Sequence, residues 1–332
     1  MVNAKLTDSL GRQIRDLRVS VTDRCNFRCF YCLPHGEPPI VSQSKMLSYD
    51  EIETICEIFI SLGIEKIRLT GGEPLMRRDL ELLVAKLSRH KNINDLALTT
   101  NGYFLPRHAE SLKAAGLNRI TISLDSLRHE TFERMTGTNV LDTVMSGIEA
   151  ARKAQLSPIK INVVVVRGFN EDEVVDFAVF ARQHDLQVRF IEFMPLDSGH
   201  LWSRDKVVSG AEIKNRIEER FPLIPVGGAR GTQTAARYRF ADNQPGEVGF
   251  ISPVTEPFCG ACSRIRLTAD GMIRTCLFST TEHNLRDLIR RNSSPEEIAE
   301  FITNVVFHKE PHHYINSPDF IQPSRTMSFI GG

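Results

Sequence analysis

No run of apolar residues in this 332-residue chain approaches the ~18 that a membrane-crossing helix requires, so no membrane partner is expected. The opening Met1–Arg15 lacks an apolar signal core and has acids at Asp8 and, just beyond it, Asp16, which makes a cytoplasmic location the expectation. Net charge is missing too. The 41 Lys and Arg cancel the 41 Asp and Glu, removing the basic excess that non-specific nucleic-acid binding uses, so no nucleic-acid partner is expected. Any anionic ligand must then be met by locally placed cations. Cysteine is scarce: seven residues are too few for a disulfide framework at this length, and an odd number in two tight groups suits ligation in a reducing compartment. Low-complexity segments are absent, as is any repeat beyond an alternation of strand-like and helix-like stretches.

What is present is an ordinary globular balance, 41% hydrophobic and 25% charged, on a chain long enough for one large module and a smaller one. Between Leu17 and Met194 short apolar runs near Leu17–Thr22, Lys66–Thr70, Asp95–Thr100, Arg119–Leu124, Ile159–Val166 and Gln187–Phe193 alternate with amphipathic stretches. Six βα units predict an α/β fold, a partial (β/α)6 barrel over residues 1–200. The glycine and polar motifs follow the strand ends, at the mouth where parallel barrels hold their active sites. Arg18, Arg68 and Lys160 interrupt strands that a parallel sheet would normally keep apolar on both faces, which predicts a polar barrel interior. Beyond about Gly199 a smaller α+β module over 201–332 is expected, with short antiparallel-looking strands, and Asp270-Gly271 predicts a two-residue hairpin turn returning Cys276 towards Cys259 and Cys262.

Cys25, Cys29 and Cys32 have C-x3-C-x2-C spacing in a loop directly after the first strand, and Cys259, Cys262 and Cys276 have C-x2-C-x13-C spacing around the hairpin. Three thiolates grip three irons of a 4Fe–4S cube and leave one iron open. A closed structural zinc site is the alternative on spacing alone, with His35 or His283 as the fourth ligand. Cys56 falls with Ile52, Ile55 and Phe59 at helical spacing and reads as a core residue. Arg264 and Arg266, two apart on a strand, point to one face and suit a planar or phosphorylated ligand.

The first cysteine motif, with Tyr31 before its last cysteine, and Gly71-Gly72-Glu73-Pro74 resemble the two leading motifs of the radical S-adenosylmethionine (SAM) superfamily. Further motifs make the resemblance specific: Thr99-Thr100-Asn101-Gly102, Ser123-Leu124-Asp125-Ser126-Leu127, Cys262-Ser263-Arg264-Ile265-Arg266 and the terminal Gly331-Gly332 are similar to those of the GTP 3′,8-cyclases, which begin molybdenum cofactor biosynthesis. That resemblance implies a radical SAM barrel, two 4Fe–4S clusters on the two cysteine triads, and SAM as cofactor. It implies that Tyr31, Gly71, Gly72, Glu73, Ser123 and Met194 hold SAM, that Arg18, Arg68, Thr99, Lys160, Arg264, Ile265 and Arg266 hold GTP, and that Gly331 and Gly332 assist catalysis. The implied reaction is abstraction of the ribose 3′ hydrogen by a 5′-deoxyadenosyl radical and attack of the resulting carbon radical on guanine C8. A low-potential electron donor, the next enzyme of the molybdopterin pathway and a second copy of the chain in a homodimer complete the implied partners. Two other readings remain at this point, a two-cluster radical SAM enzyme that modifies a peptide and a non-catalytic zinc-binding interaction protein. The Gly227–Tyr238 linker matches no family motif.

Overall fold

Local signals start several of the helices. Ser48 caps helix Tyr49–Ser61 by accepting from the Glu51 amide while the Glu51 carboxylate returns to the Ser48 N–H at 2.7 Å, a capping box. The buried face of that helix carries Ile52, Ile55, Cys56 and Phe59, so Cys56 is the fully buried core residue its spacing predicts. Ser209 and Ser294 cap helices Gly210–Glu218 and Pro295–Phe307 through the same hydroxyl-to-amide bond. These features come from a computed structural model that describes residues 5–33, 41–197, 199, 201–228 and 230–331.

Among the described residues twelve strands form one sheet: β1 Asp16–Ser20, β2 Lys66–Thr70, β3 Asp95–Thr100, β4 Arg119–Ser123, β5 Lys160–Val165, β6 Gln187–Glu192, β7 Leu223–Pro225, β8 Ala236–Phe240, β9 Glu247–Ile251, β10 Arg264–Leu267, β11 Met272–Arg274 and β12 His283–Asn284. The first six, each followed by helix, run parallel in sequence order as the βα alternation predicts. The later strands depart from expectation. Only β7–β8–β9 and β10–β11–β12 pair antiparallel among themselves; β9 adds parallel to β6 and β10 adds parallel to β1, so the parallel part has eight strands. Among the described residues no pairing joins β9 to β10, and residues 252–263, with Cys259 and Cys262, connect the two edges.

The turn between β10 and β11 also differs from the two-residue form. Thr268 donates its N–H to the Met272 carbonyl at 2.9 Å, which closes a three-residue loop of Ala269, Asp270 and Gly271. Gly271 sits at φ +79°, the left-handed position that such loops reserve for glycine.

Alternation along each strand separates two chemistries. Leu17, Val19, Ile67, Leu69, Ile120, Ile122, Ile161, Val188 and Phe190, each at most 1% exposed, face the helices and form the main core. The other face turns Arg18, Arg68, Thr99, Thr121, Asn162, Arg189, Arg264 and Arg266 into a cavity. Register sets three of them level: Arg18 lies opposite Arg68 on one side and Arg266 on the other. Among the described residues no helix is long and apolar enough to cross a membrane.

Candidate active site

The first cysteine loop leaves the C-terminal end of β1 and is held from two sides. The Gly72 and Glu73 amides donate to the Thr22 and Arg24 carbonyls at 2.8 and 2.7 Å, while the Arg28 amide donates to Thr136 O at 2.8 Å. Aromatic packing fixes the loop further: Phe27 meets Phe132 edge-on at 5.9 Å and Phe30 stacks on Phe169 at 4.5 Å. Cys25 Sγ accepts from the Phe27 amide at 3.4 Å. Burial pushes all three thiols up, Cys25 to about 11 and Cys32 to about 12. His35 lies outside the described residues.

The second triad gathers at the other end of the barrel. The Arg15 and Asp16 amides donate to Ser263 O at 2.9 and 3.0 Å, which places Cys262 beside the start of β1. A five-residue strand, roughly 16 Å long, therefore separates the two cysteine loops. Cys276 does return to Cys259 and Cys262 along the hairpin, and all three line the cavity. His283 sits in β12 opposite Ile273 and does not line it; His313 does, its ring tilted 57° to that of Phe278 with centroids 5.4 Å apart. Burial opposes ionisation of Cys262, but Arg264 and Lys309 outweigh it and bring the thiol down to about 7. Arg264 Nη2 donates to Cys262 Sγ at 3.3 Å.

Thiolates on one tetrahedral zinc ion lie about 3.8 Å apart, given a Zn–S bond of about 2.3 Å. Among the described residues the one group that brings three ligand atoms within 4.8 Å of one another is Glu53, Glu57 and His90; neither cysteine triad does. Two sets of three soft donors at wider spacing fit multi-iron clusters better than single ions.

Of the residues expected to hold SAM, Tyr31 belongs to the first cysteine loop and Gly71, Gly72 and Glu73 pack against it through contacts within the protein. Gly71 and Gly72 serve the protein's own backbone: a Cβ at Gly71 would lie 2.3 Å from Thr22 O, and one at Gly72 2.2 Å from Arg24 O. The glycine pair thus permits the close stacking of two loops. Gly72→Ala is accordingly expected to lower stability by ~1–3 kcal/mol, the scale of overpacking, and to reduce iron loading, both measurable by thermal denaturation and iron assay. Glu73 is buried and spends its carboxylate on the Leu75 and Asn101 amides and the Thr100 hydroxyl, at 3.0, 2.7 and 2.7 Å. Tyr31 donates its hydroxyl to Asp125, whose other oxygen accepts from the Val164 amide at 2.9 Å. Ser123 ends β4 opposite Asn162, and Met194 follows β6 and lines the cavity.

Cations crowd the N-terminal end of the barrel. A basin there is lined by eight Lys or Arg side chains and two acids, Asp16 and Asp95. Arg18, Arg68, Lys160 and Arg264 were expected; Lys66, Arg119, Arg189 and Arg237 were not. A period-two signal for Arg189 was present, since it alternates with Val188 and Phe190. Arg68 Nη1 donates to both Thr99 and Thr121 hydroxyls at 3.0 Å. Arg119 forks onto Asp95, with Nε donating at 2.7 Å, and leaves Nη1 buried and unpartnered. Lys160 is driven down to about 6 by burial and then by Arg189, Arg119 and Arg68. Ile265, between Arg264 and Arg266, turns its side chain the opposite way into the apolar core.

The tail enters this cavity from the first triad's side. Gly331 is buried at φ +77°, and its carbonyl accepts from Arg266 Nη1. A Cβ there would lie 2.8 Å from Thr70 Cγ2 and 3.1 Å from Ser20 Cβ, at the ends of β2 and β1. Phe329 and Ile330 are buried beside it. Gly332 lies outside the described residues.

Comparison with known proteins agrees with this arrangement. Residues 19–181 match the radical SAM superfamily and residues 186–315 match the molybdenum cofactor synthesis C family. Among solved structures, Streptococcus suis SuiB bound to precursor peptide SuiA has a TM-score of 0.64 at 14% identity, covering 95% of this chain and 76% of that one. Native anSMEcpe with bound AdoMet has a TM-score of 0.62 at 15% identity, covering 90% and 82%. Both likenesses are of fold. Relatives called GTP 3′,8-cyclase are far more similar: that of Streptomyces coelicolor is 44% identical over 98% of this chain and 96% of its own, and that of Syntrophomonas wolfei 43% over 98% and 100%. With identity of that level running through both halves and both cysteine loops, the chain belongs to the GTP 3′,8-cyclase family.

Proposed function

We propose that the chain converts GTP to (8S)-3′,8-cyclo-7,8-dihydroguanosine 5′-triphosphate, the opening reaction of molybdenum cofactor biosynthesis. When bound, a reduced 4Fe–4S cluster at Cys25, Cys29 and Cys32 and its SAM supply the 5′-deoxyadenosyl radical that abstracts the ribose 3′ hydrogen, after which the sugar radical closes on guanine C8. The observation that carries the reading is a cavity lined by Met194, Met327 of the tail helix and Cys259, Cys262 and Cys276, which shares Arg18, Arg68, Arg189 and Arg264 with the basin of eight cations. Among the described residues Arg18, Arg68, Lys160, Arg189 and Arg264 of this basin form no ion pair, whereas Arg119, Arg237 and Lys66 pair with Asp95, Glu247 and Asp16; a triphosphate answers the five that are left. Arg18, Arg68, Lys160, Arg264 and Arg266 bind and orient the nucleotide, with Thr99 fixing the Arg68 guanidinium. Tyr31, Ser123 and Met194 would contact bound SAM. The triad at Cys259, Cys262 and Cys276 would hold a second cluster for the guanine end of the nucleotide, and the chain's own part is to exclude water and hold the ribose near the radical. A low-potential electron donor supplies the reducing equivalents, and the product passes to the next enzyme of the pathway.

Anaerobic incubation of the reconstituted protein with SAM, dithionite and GTP tests this directly. The expected result is 5′-deoxyadenosine together with a new, cyclised nucleotide; 5′-deoxyadenosine without any nucleotide product from GTP defeats the reading.

A binding prediction follows from the charge. Arg266→Ala and Lys160→Ala are each expected to weaken GTP binding by ~1.5–3 kcal/mol, the scale of a hydrogen bond to a charged group, with SAM binding nearly unchanged. Because Lys160 is held near 6, it is largely neutral at pH 7.5 in the free protein. A triphosphate against it favours the ammonium form, so GTP binding takes up about one proton. Calorimetry in two buffers of different ionisation enthalpy measures that uptake, which Lys160→Ala is expected to remove.

A further inference from the structure

The terminal glycines follow a long segment with almost no regular structure. From His308 to Thr326 the chain forms neither helix nor strand, and helix Met327–Ile330 is only four residues long, too short to be stable by itself. Phe329 and Ile330 bury apolar surface, but that attraction carries no direction. Hydrogen bonds hold the segment at intervals, Asn316 to Arg204 and to the Val254 carbonyl and Gln322 to the Asp197 carbonyl, and the ion pair nearest the terminal helix is made by Arg325. Arg325 Nη1 and Nη2 donate to the two carboxylate oxygens of Asp270 at 3.0 and 2.9 Å, and Nη2 also reaches Glu282 at 2.7 Å.

Both acceptors are themselves fixed. Asp270 lies in the turn between β10 and β11, where the Thr268 hydroxyl donates to it at 2.6 Å. Glu282 is held by the buried Arg274 of β11 at 2.7 Å. The Arg325 guanidinium also lies over the Phe329 ring, 5.6 Å from its centroid, so the same group ties the turn to the terminal helix. This hairpin carries Arg264 and Arg266 on one strand and leads into Cys276 from the other. Arg266 in turn meets Gly331, which closes a ring from hairpin to tail and back.

We propose that Arg325 is a positioning residue, clasping the tail to the β10–β11 hairpin so that Gly331 and the substrate arginines keep one geometry. The clasp rests on the reading of the tail as part of the reaction site. A bidentate guanidinium–carboxylate pair sets both distance and orientation, which a lysine does not reproduce.

The test uses the reconstituted holoenzyme and two readouts, hydrogen exchange of the amides at 327–331 and cyclised nucleotide formed per 5′-deoxyadenosine. Arg325→Met is expected to exchange these amides about tenfold faster and to lower the product ratio about tenfold, with Arg325→Lys intermediate. If Arg325→Met lowers the thermal midpoint of the whole enzyme, Glu282→Gln, which keeps Asp270 paired, carries the test with smaller changes in the same direction. Unchanged tail exchange overturns the clasp, and faster exchange at an unchanged product ratio overturns its role in the reaction. Deleting Gly331 and Gly332 separates the two ideas. Full coupling in that truncation defeats the tail reading itself; lost coupling there beside full coupling in Arg325→Met defeats the clasp alone.

Discussion

Cys29→Ser is expected to abolish reductive SAM cleavage, whereas Cys262→Ser leaves uncoupled cleavage and stops cyclisation. The division follows from where the thiols stand. Cys29 belongs to the loop after β1, against Tyr31, Asp125 and the glycine loop, while Cys262 precedes β10 at the opposite end, beside Arg264. Groups that hydrogen-bond to the ligands of a metal site are worth about 10–100-fold, so loss of a coordinating thiolate should lower the affected step by more than ~100-fold. Serine is nearly isosteric, so the packing of Cys29 against the main core is largely kept. The Phe27–Phe132 and Phe30–Phe169 contacts hold the first loop, and strand pairing with β1 holds the second. Anaerobic assays of 5′-deoxyadenosine and nucleotide product, with iron and sulfide counted in each variant, decide the matter. Equal loss of SAM cleavage in both variants, each with its other cluster intact, would show that the roles are divided wrongly.

Removal of Gly331 and Gly332 is expected to leave both clusters and GTP binding largely intact and to lower cyclised product by about 10²–10³-fold, the scale of losing one preorganised catalytic donor. A frayed terminus is the ordinary fate of a glycine end. Here the end is buried between Ser20 and Thr70 instead, with its carbonyl on Arg266 and its backbone in a conformation that favours glycine. Gly331→Ala meets Thr70 at 2.8 Å and pays left-handed strain as well, so it should fail almost as badly as the truncation. Product analysis beside a GTP binding isotherm checks both variants. Undiminished product from the truncated enzyme would make the tail a bystander.

Several features were legible in the linear sequence because their physics is local. Thiol spacing within Cys25–Cys32 is a property of one loop, the alternation of Arg18 with Leu17 and Val19 is a property of one strand, and the cap at Ser48 is a property of one helix turn. Arg264 and Arg266 share a face for the same reason. The glycines at 71 and 72 were visible, but their neighbours at Thr22 and Arg24 were not, since only loop stacking brings them together. Tertiary structure alone decided that β10 pairs with β1 across some 248 residues of chain and that β9 extends the sheet beyond β6, which puts the second triad at the far end of the barrel. It likewise decided that Arg119, Arg189 and Arg237 converge with the expected cations, that His313 and not His283 lines the cavity with the second triad, and that Arg325 reaches Asp270. Local periodicity states which way a side chain faces; which other faces it meets depends on strand register between distant segments, and that is settled only when the whole sheet closes around its cavity.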